Sequence, residues 1–350
     1  MRVQFNAVLK DVTRKGTKIQ TDEYLTEGKF PIIDQGNNDI AGYRDDETGL
    51  FTDVPAIVFG DHTRIVKYIT EPFFLGADGV KVLVPIDRTM NCKYLYYQLL
   101  SAKIPDTGYN RHFKWVKELE FQLPSRNEQD DVVKRLDKLC VVISARQQQL
   151  AKLDELVKAR FVEIFGDSEY NTKHWPVVKL SDICEVGSSK RIYKNEQSSS
   201  GVPFLRISDL NERIDGKVKN PEIFISIEKY DELKLQGMVP IAGDVLVTSR
   251  GTLGRCYIVT EEDVFYFQDG MISWLSKIDA RAASLYLSYL FSMRGIQKQI
   301  ETLQAGSTVA YLSITMLKKL DIMLPPLELQ QKFSSFVKCI DKLKLSTKKY

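Results

Sequence analysis

Apolar positions follow two alternating patterns along the chain. Phe30–Asp34, Ala56–Phe59, Val66–Ile69 and Val80–Val84 are short apolar or β-branched runs separated by Gly, Asn and Asp turns. That spacing predicts strands. A second group follows at Phe204–Ile207, Val245–Thr248, Tyr257–Thr260, Phe265–Phe267 and Ile272–Leu275. Helical spacing comes after each group, around Lys93–Ser101 and Ala283–Ile300, so each set reads as one compact α+β domain. Between Asn127 and Phe165 there is neither glycine nor proline, and Leu136, Ile143, Leu150, Val157 and Ile164 recur every seventh residue. This heptad seam predicts a coiled-coil helix, with a companion seam at Val132, Leu139, Arg146, Leu153 and Arg160. At about 1.5 Å per residue, its roughly 39 residues span roughly 58 Å, and Gly166 supplies a stop. A similar helix begins after Pro326, where Phe333, Val337 and Ile340 align with Val132, Leu136 and Leu139. Two such helices would pack antiparallel and hold the domains apart. Arg146 and Arg160 would then pair with acids such as Asp154, or face a partner.

The two halves echo each other. Leu9-Lys10-Asp11-Val12 returns as Leu180-Ser181-Asp182-Ile183, Asp78-Gly79 as Asp269-Gly270, and Tyr94-Leu95-Tyr96-Tyr97 as Tyr286-Leu287-Ser288-Tyr289. Leu123-Pro124 and Leu324-Pro325 are each followed five residues after the proline by a glutamine, Gln129 and Gln330. Matches kept in one order over most of the chain indicate a tandem duplication. The predicted fold class is therefore α+β: two tandem domains of mixed sheet plus helices, separated by long coiled-coil helices with pseudo-two-fold duplication. The boundaries fall at 1–124, 125–167, 168–325 and 326–350.

Composition narrows the chemistry. The 350 residues carry a formal net charge of +3, which announces no polyanion partner but permits one if cations gather on particular faces. Five dispersed cysteines with no C-x-x-C pair read as reduced thiols, and three histidines complete no zinc spacing, so no metal is expected. No phosphate-cradling glycine motif is present either. No apolar run reaches the ~18 residues of a membrane span and the first residues form no signal peptide, so a cytoplasmic location is expected.

Basic residues gather instead in turn-like segments at corresponding places of the two copies. The first copy has Arg14-Lys15-Gly16-Thr17-Lys18, Gly60-Asp61-His62-Thr63-Arg64 and Gly108-Tyr109-Asn110-Arg111-His112-Phe113-Lys114. The second has Ser188–Lys194, the stretch Thr248–Arg255 and the weaker Gly306-Ser307-Thr308. Arg and Lys neutralise phosphates, hydroxyls and amides fix register, and Arg, Asn or His can read base edges. Arg64, Arg111, Lys114, Arg191, Arg250 and Arg255 are the candidate DNA contacts, with His62, Asn110 and Thr248 as lesser ones. No catalytic residue is assigned.

These features together resemble the specificity (S) subunit of type I restriction–modification enzymes. The likeness rests on the duplication, Trp175-Pro176 with Leu180-Ser181-Asp182-Ile183, Gly243-Asp244-Val245-Leu246, and the two Leu-Pro entries leading through Gln129 and Gln330 into long helices. The first copy departs in lacking a Trp-Pro entry. The resemblance implies two target-recognition domains, each reading half of a bipartite sequence in double-stranded DNA. It implies helices that act as a ruler and dock two modification (N6-adenine methyltransferase) subunits, with Leu136, Ile143, Leu150, Val157, Ile164, Val337 and Ile340 as the docking and coiled-coil residues. Restriction (translocase–nuclease) subunits would complete the cleaving complex. S-adenosylmethionine, ATP and Mg²⁺ would belong to those partners, with no cofactor in this chain. The shorter last helix reads as a truncated or phase-variable form whose half-length ruler a second chain could complete. Two competing readings are a self-sufficient nuclease built on Pro221-Glu222 and Glu232-Leu233-Lys234, and a coiled-coil scaffold that binds protein only.

Overall fold

A computed structural model describes residues 1–217, 220–305 and 310–348. The chain divides into two compact units, Met1–Ala145 and Arg146–Tyr350. In the first, the strands Leu9–Asp11, Val80–Pro85, Ala56–Gly60 and Val66–Ile69 lie side by side in that order in an antiparallel sheet. A smaller sheet orders Gly42–Arg44, Phe30–Ile33 and Phe74–Leu75, the last two parallel. The first strand, Arg2–Gln4, pairs with Glu120–Gln122 and so closes the unit.

The second unit repeats the plan strand for strand. Its main sheet runs Glu185–Gly187, Ile272–Ser276, Val245–Thr248, Cys256–Ile258. Its smaller sheet again has one parallel pair, Val202–Leu205 with Tyr266–Phe267, and Val177–Lys179 closes on Asp321–Met323. The period-2 alternation of each central strand explains the layers. Ile57 and Phe59 face the helix Cys92–Ser101, while Ala56 and Val58 join a second core on the opposite face. Val245 and Val247 face the helix Ser284–Ser292 in the same way, and Leu246 packs behind with Ile272 and Trp274.

The second unit also holds helices at Ile207–Ile214 and Ile227–Leu235 that the apolar pattern did not signal. Each buries a single leucine, Leu210 or Leu233, which is too little to generate a periodic stripe. The predicted helix Ala283–Ile300 is two helices, Ser284–Ser292 and Arg294–Leu303, because Met293 between them is extended (φ −84°, ψ 153°).

The motifs shared by the halves have a common structural purpose. Gln129 is buried in the first turn of the long helix Arg126–Phe165. Its Oε1 accepts the Asn91 amide at 2.9 Å and its Nε2 donates to the Pro124 carbonyl at 2.9 Å. Gln330, in the last helix Leu327–Lys348, accepts the Ala283 amide at 2.8 Å and donates to the carbonyls of Pro325 at 2.8 Å and Arg281 at 2.9 Å. Each glutamine thus ties a long helix to the start of a domain helix. The Gly-Asp-Val-Leu motif is equally local. Asp244 accepts the Ile241 amide at 2.9 Å and the Trp274 indole N–H at 2.8 Å, against a burial that pushes its carboxyl above the usual range.

The long helix forms, but its heptad seam is not buried as the spacing predicts. Leu136 and Leu150 are half-buried, Ile143 is exposed, and Val133, one residue off the companion seam, is the apolar position sealed in the first unit. In the second unit Val157 is buried and Ile164 half-buried. The dominant contacts there come from Phe161 and Phe165, which lie on neither seam. Two phenylalanines one helical turn apart bury more apolar area against a domain core than a narrow seam does. Phe161 and Phe165 meet Phe333 at 5.4 and 5.6 Å, and Val337 and Ile340 join the same core. Arg160 lies 5.8 Å over the Phe336 ring and Lys344 bonds Asp154 at 2.6 Å, so the last helix runs antiparallel to the 146–165 half. The expected pairing of Arg146 and Arg160 with Asp154 is not formed: they contact Gln149 and Glu163 instead.

Replacing Gln330 with leucine removes the partners of one amide and two carbonyls at a fully buried position. Unfolding in urea is expected to show a loss of about 2–4 kcal/mol, larger than an ordinary polar substitution produces. A loss under about 1 kcal/mol would show that these bonds are replaceable.

Candidate nucleic-acid interface

At one end of the first unit, the turn between Ala56–Gly60 and Val66–Ile69 is folded tightly onto its neighbours. A Cβ on Gly60 would lie 2.2 Å from Thr63 Oγ1, and Arg64 has φ of 62°. Thr63 Oγ1 donates to the Gln35 carbonyl at 2.7 Å, and the His62 amide donates to Gln35 Oε1 at 3.1 Å. Asp61 is buried and latches a second loop, residues 104–112, to this turn. Its carbonyl accepts the His112 amide at 2.7 Å, and its Oδ1 accepts the Phe113 amide at 2.7 Å. His112 is therefore a buried structural residue, its Nδ1 3.0 Å from the same carbonyl.

The candidates of this unit lie on the two latched loops. The His62 ring stacks on Tyr109 at 4.7 Å and 10°, with Nδ1 3.2 Å from the Asn110 carbonyl. Tyr109 is 88% exposed although it is stacked, so the pair presents an aromatic face to solvent. Asn110 is exposed and its amide donates to the Thr107 carbonyl. Arg64 reaches Asp106 at 2.7 Å and the Ile104 carbonyl at 3.4 Å. The Gly108 amide, and then Arg64, hold the Asp106 carboxyl below the usual carboxylate range. Lys114 lies 5.0 Å over the Trp115 ring. Arg111 is exposed and has no ion-pair or hydrogen-bond partner among the described residues.

The second unit places its own cations on the equivalent turn, between Val245–Thr248 and Cys256–Ile258. Arg250 is exposed, its backbone bridges Tyr311, and its guanidinium sits 6.0 Å over the Tyr311 ring. The Ser249 carbonyl accepts the Leu312 amide at 3.0 Å, so a second loop is again latched to the turn. Arg255 bonds Asn211 at 2.8 Å and also Asp215, whose carboxyl it pulls below the usual range. Arg191 stands apart from this turn and bonds Asp269 at 2.9 Å. Lys18 bonds Asp78 at 3.2 Å in the first unit, so both Asp-Gly echoes anchor a basic segment.

Thr248 must be reassigned. It is 0% exposed, and its hydroxyl donates to the Thr252 carbonyl at 2.5 Å and accepts the Arg255 amide at 3.0 Å. It shapes the turn and has no surface for a ligand. The Gly306-Ser307-Thr308 segment lies outside the described residues. Tyr109 and Tyr311 were not among the candidates, although exposed aromatics interleaved with cations are a sequence-level signal for nucleic acid.

The carboxylates of the competing nuclease reading are engaged separately, Glu222 with Arg206 at 2.8 Å and Glu232 with Lys229 at 3.3 Å. Among the described residues no three His, Cys, Asp or Glu side chains form a group that could hold a metal ion. No described helix is long and apolar enough to cross a membrane.

A fold of this kind, with two copies of one sheet-and-helix unit each tied to a long helix, defines a tandem recognition module rather than a single catalytic domain. Residues 6–155 and 172–350 each match the type I restriction modification DNA specificity domain, and the chain belongs to that family. A Haemophilus influenzae protein carrying the name of a type I restriction enzyme specificity subunit is 29% identical over 260 residues, which cover 71% of this chain and 64% of that protein. The MjaVIII specificity subunit of Methanocaldococcus jannaschii is 24% identical over 303 residues, covering 77% of this chain and 69% of its own length. The chain thus spans less than two thirds of the first of these relatives. The crystal structure of the S subunit of a type I restriction–modification system from M. genitalium shares the fold, with a TM-score of 0.56 at 17% identity over 100% of this chain and 91% of that one.

Asp61→Ala should release the 104–112 loop from its turn while leaving the sheet intact. Hydrogen exchange at the His112 and Phe113 amides is expected to accelerate about tenfold, the equivalent of one lost hydrogen bond. Unchanged exchange at both amides would show that other contacts hold the loop.

Proposed function

We propose that this chain is the non-catalytic sequence-recognition subunit of a type I restriction–modification complex, each unit reading one half of a bipartite target in double-stranded DNA. The observation that carries the reading is the repetition of one device. In both units a cation-bearing turn of the main sheet is latched to a second loop that supplies an exposed tyrosine. A protein-only scaffold gives no reason for that repetition. Arg111 and Arg250, exposed and unengaged by any acid, are the first choice for phosphate or base contact. Arg64, Arg191, Arg255 and Lys114 support them from the same or neighbouring loops, with His62 and Asn110 at the tip of the first unit.

In this proposal the long helix spaces the two readers, and 40 residues at about 1.5 Å each give it a length of about 60 Å. A DNA turn is about 34–36 Å, so unread bases would separate the half-sites. The long helices also dock two methyltransferase subunits, and restriction subunits join that assembly in the cytoplasm. S-adenosylmethionine, ATP and Mg²⁺ act in those partners.

Adenine methylation mapped in cells with and without this chain tests the proposal. A gapped two-part motif is expected to vanish on deletion, and unchanged methylation beside an active methyltransferase partner would overturn it. In binding assays with that partner, Arg111→Ala or Arg250→Ala should weaken DNA binding. A residue that contacts phosphate flattens the salt dependence by about one unit, whereas a base reader relaxes one target position. A variant that changes neither quantity removes that arginine from the interface.

A further inference from the structure

The duplication allows the two units to be compared residue by residue where each meets its long helix. Aligning Gln129 with Gln330 and Asn91 with Ala283, which their shared hydrogen bonds require, pairs Val132 with Phe333, Leu136 with Val337 and Leu139 with Ile340. It also pairs Tyr94 with Tyr286 and Tyr97 with Tyr289. In the second unit this surface is covered. Phe161 stacks on Tyr286 at 5.7 Å and meets Phe333 at 5.4 Å, while Phe165 lies 4.8 Å from Tyr286. The covering segment is the 146–165 half of the long helix, antiparallel to the last helix, and Val157, Phe161 and Phe165 are buried in it.

The first unit has the same surface without the cover. A groove of about 910 Å³ is lined by Tyr94, Tyr97, Val132, Leu136, Leu139 and Ile143, among others. Its exposure contrasts with the covered copy: Val132 is 38% exposed against 0% for Phe333, and Leu139 is 57% exposed against 4% for Ile340. An apolar stripe left open on a helix that carries a continuous apolar pattern marks a helix-binding groove. Val132 is smaller than its counterpart Phe333, which leaves room for a large side chain at that level.

We propose that this groove on the first unit takes an amphipathic helix of a partner polypeptide, running antiparallel to Arg126–Phe165 and inserting two large apolar side chains one turn apart. The covered copy supplies both specifications, the direction from its antiparallel helices and the side chains from Phe161 and Phe165. A second copy of this chain is a poor source, because its matching segment, Val157 to Phe165, is already buried in its own second unit. The proposal adds a binding site and the form of its ligand to the chain's description, and it stands apart from DNA recognition.

The probe is a fluorescein-labelled peptide of residues 147–166, the segment that fills the equivalent groove, titrated with the full-length chain. Saturable one-to-one binding with a Kd on the order of 10 µM is expected, together with a gain of helical circular dichroism by the peptide. Leu136→Glu and Ile143→Glu lie on exposed or half-exposed positions and should leave the chain's own melting temperature unchanged while weakening peptide binding at least tenfold. A peptide carrying Phe161→Ala and Phe165→Ala should fail to bind. Absence of saturable binding overturns the proposal, as does binding indifferent to both groove variants, which would mean exchange into the second unit. Light scattering that finds the chain a dimer, made monomeric by Leu136→Glu, would assign the groove to a second copy and overturn the proposal as stated.

Discussion

A buried glutamine in the first turn of each long helix fixes how that helix leaves its domain. Proline at 124 and 325 offers a carbonyl but no amide, and the domain helix that follows the main sheet begins with an amide lacking an intrahelical partner. A carboxamide alone among the side chains can accept from one and donate to the other. Gln129 and Gln330 do so at distances between 2.8 and 2.9 Å, at sites almost free of solvent. Because an unpaired amide there would carry a full desolvation cost, the helix cannot slide along the unit without breaking the bond. The rest of each unit follows from that fixed register: which helix positions meet Tyr94 or Tyr286, and which remain open.

Much of this was legible before any coordinates. The strands, the duplication, the two long helices and the position of the cations on turns all follow from alternation, glycine punctuation and repeated motifs. The burial of the helix face was not. A heptad count treats a helix as one of a pair, whereas Phe161 and Phe165 face a domain core, and a fourth-residue spacing of aromatics is invisible to a search for every seventh residue. The short helices Ile207–Ile214 and Ile227–Leu235 escaped for the opposite reason, since a single buried leucine leaves no period to detect.

The site shows the same division. The identities of the basic residues were readable, but their surroundings were not, because the groups that orient them come from distant parts of the chain. Arg64 is held by Asp106, 42 positions away, and the latch from Asp61 to Phe113 spans 52. Thr248 was misread for a related reason. A threonine beside arginine and glycine has the composition of a contact residue, yet its hydroxyl closes the turn from within. Local pattern gives the residue types on a loop; only the long-range hydrogen bonds decide which of them face outward.

Charge pairing sharpens what such a surface can do. Arg64, Arg191 and Arg255 each rest against a carboxylate, with roughly a third to two thirds of the guanidinium-bearing side chain in solvent. Ion pairs this exposed contribute only about 0–1 kcal/mol, so a phosphate that replaces the carboxylate meets little resistance. The pair meanwhile keeps the side chain extended and limits the rotamer entropy lost on contact. Arg111 and Arg250 have no acid to leave and would bind with the full gain of counterion release. With a net charge of only +3, the chain lacks a strong general field for DNA. On the proposed reading its affinity therefore has to come from these few placed cations, and the two units must act together, since either turn alone presents too few contacts to hold a duplex at physiological salt.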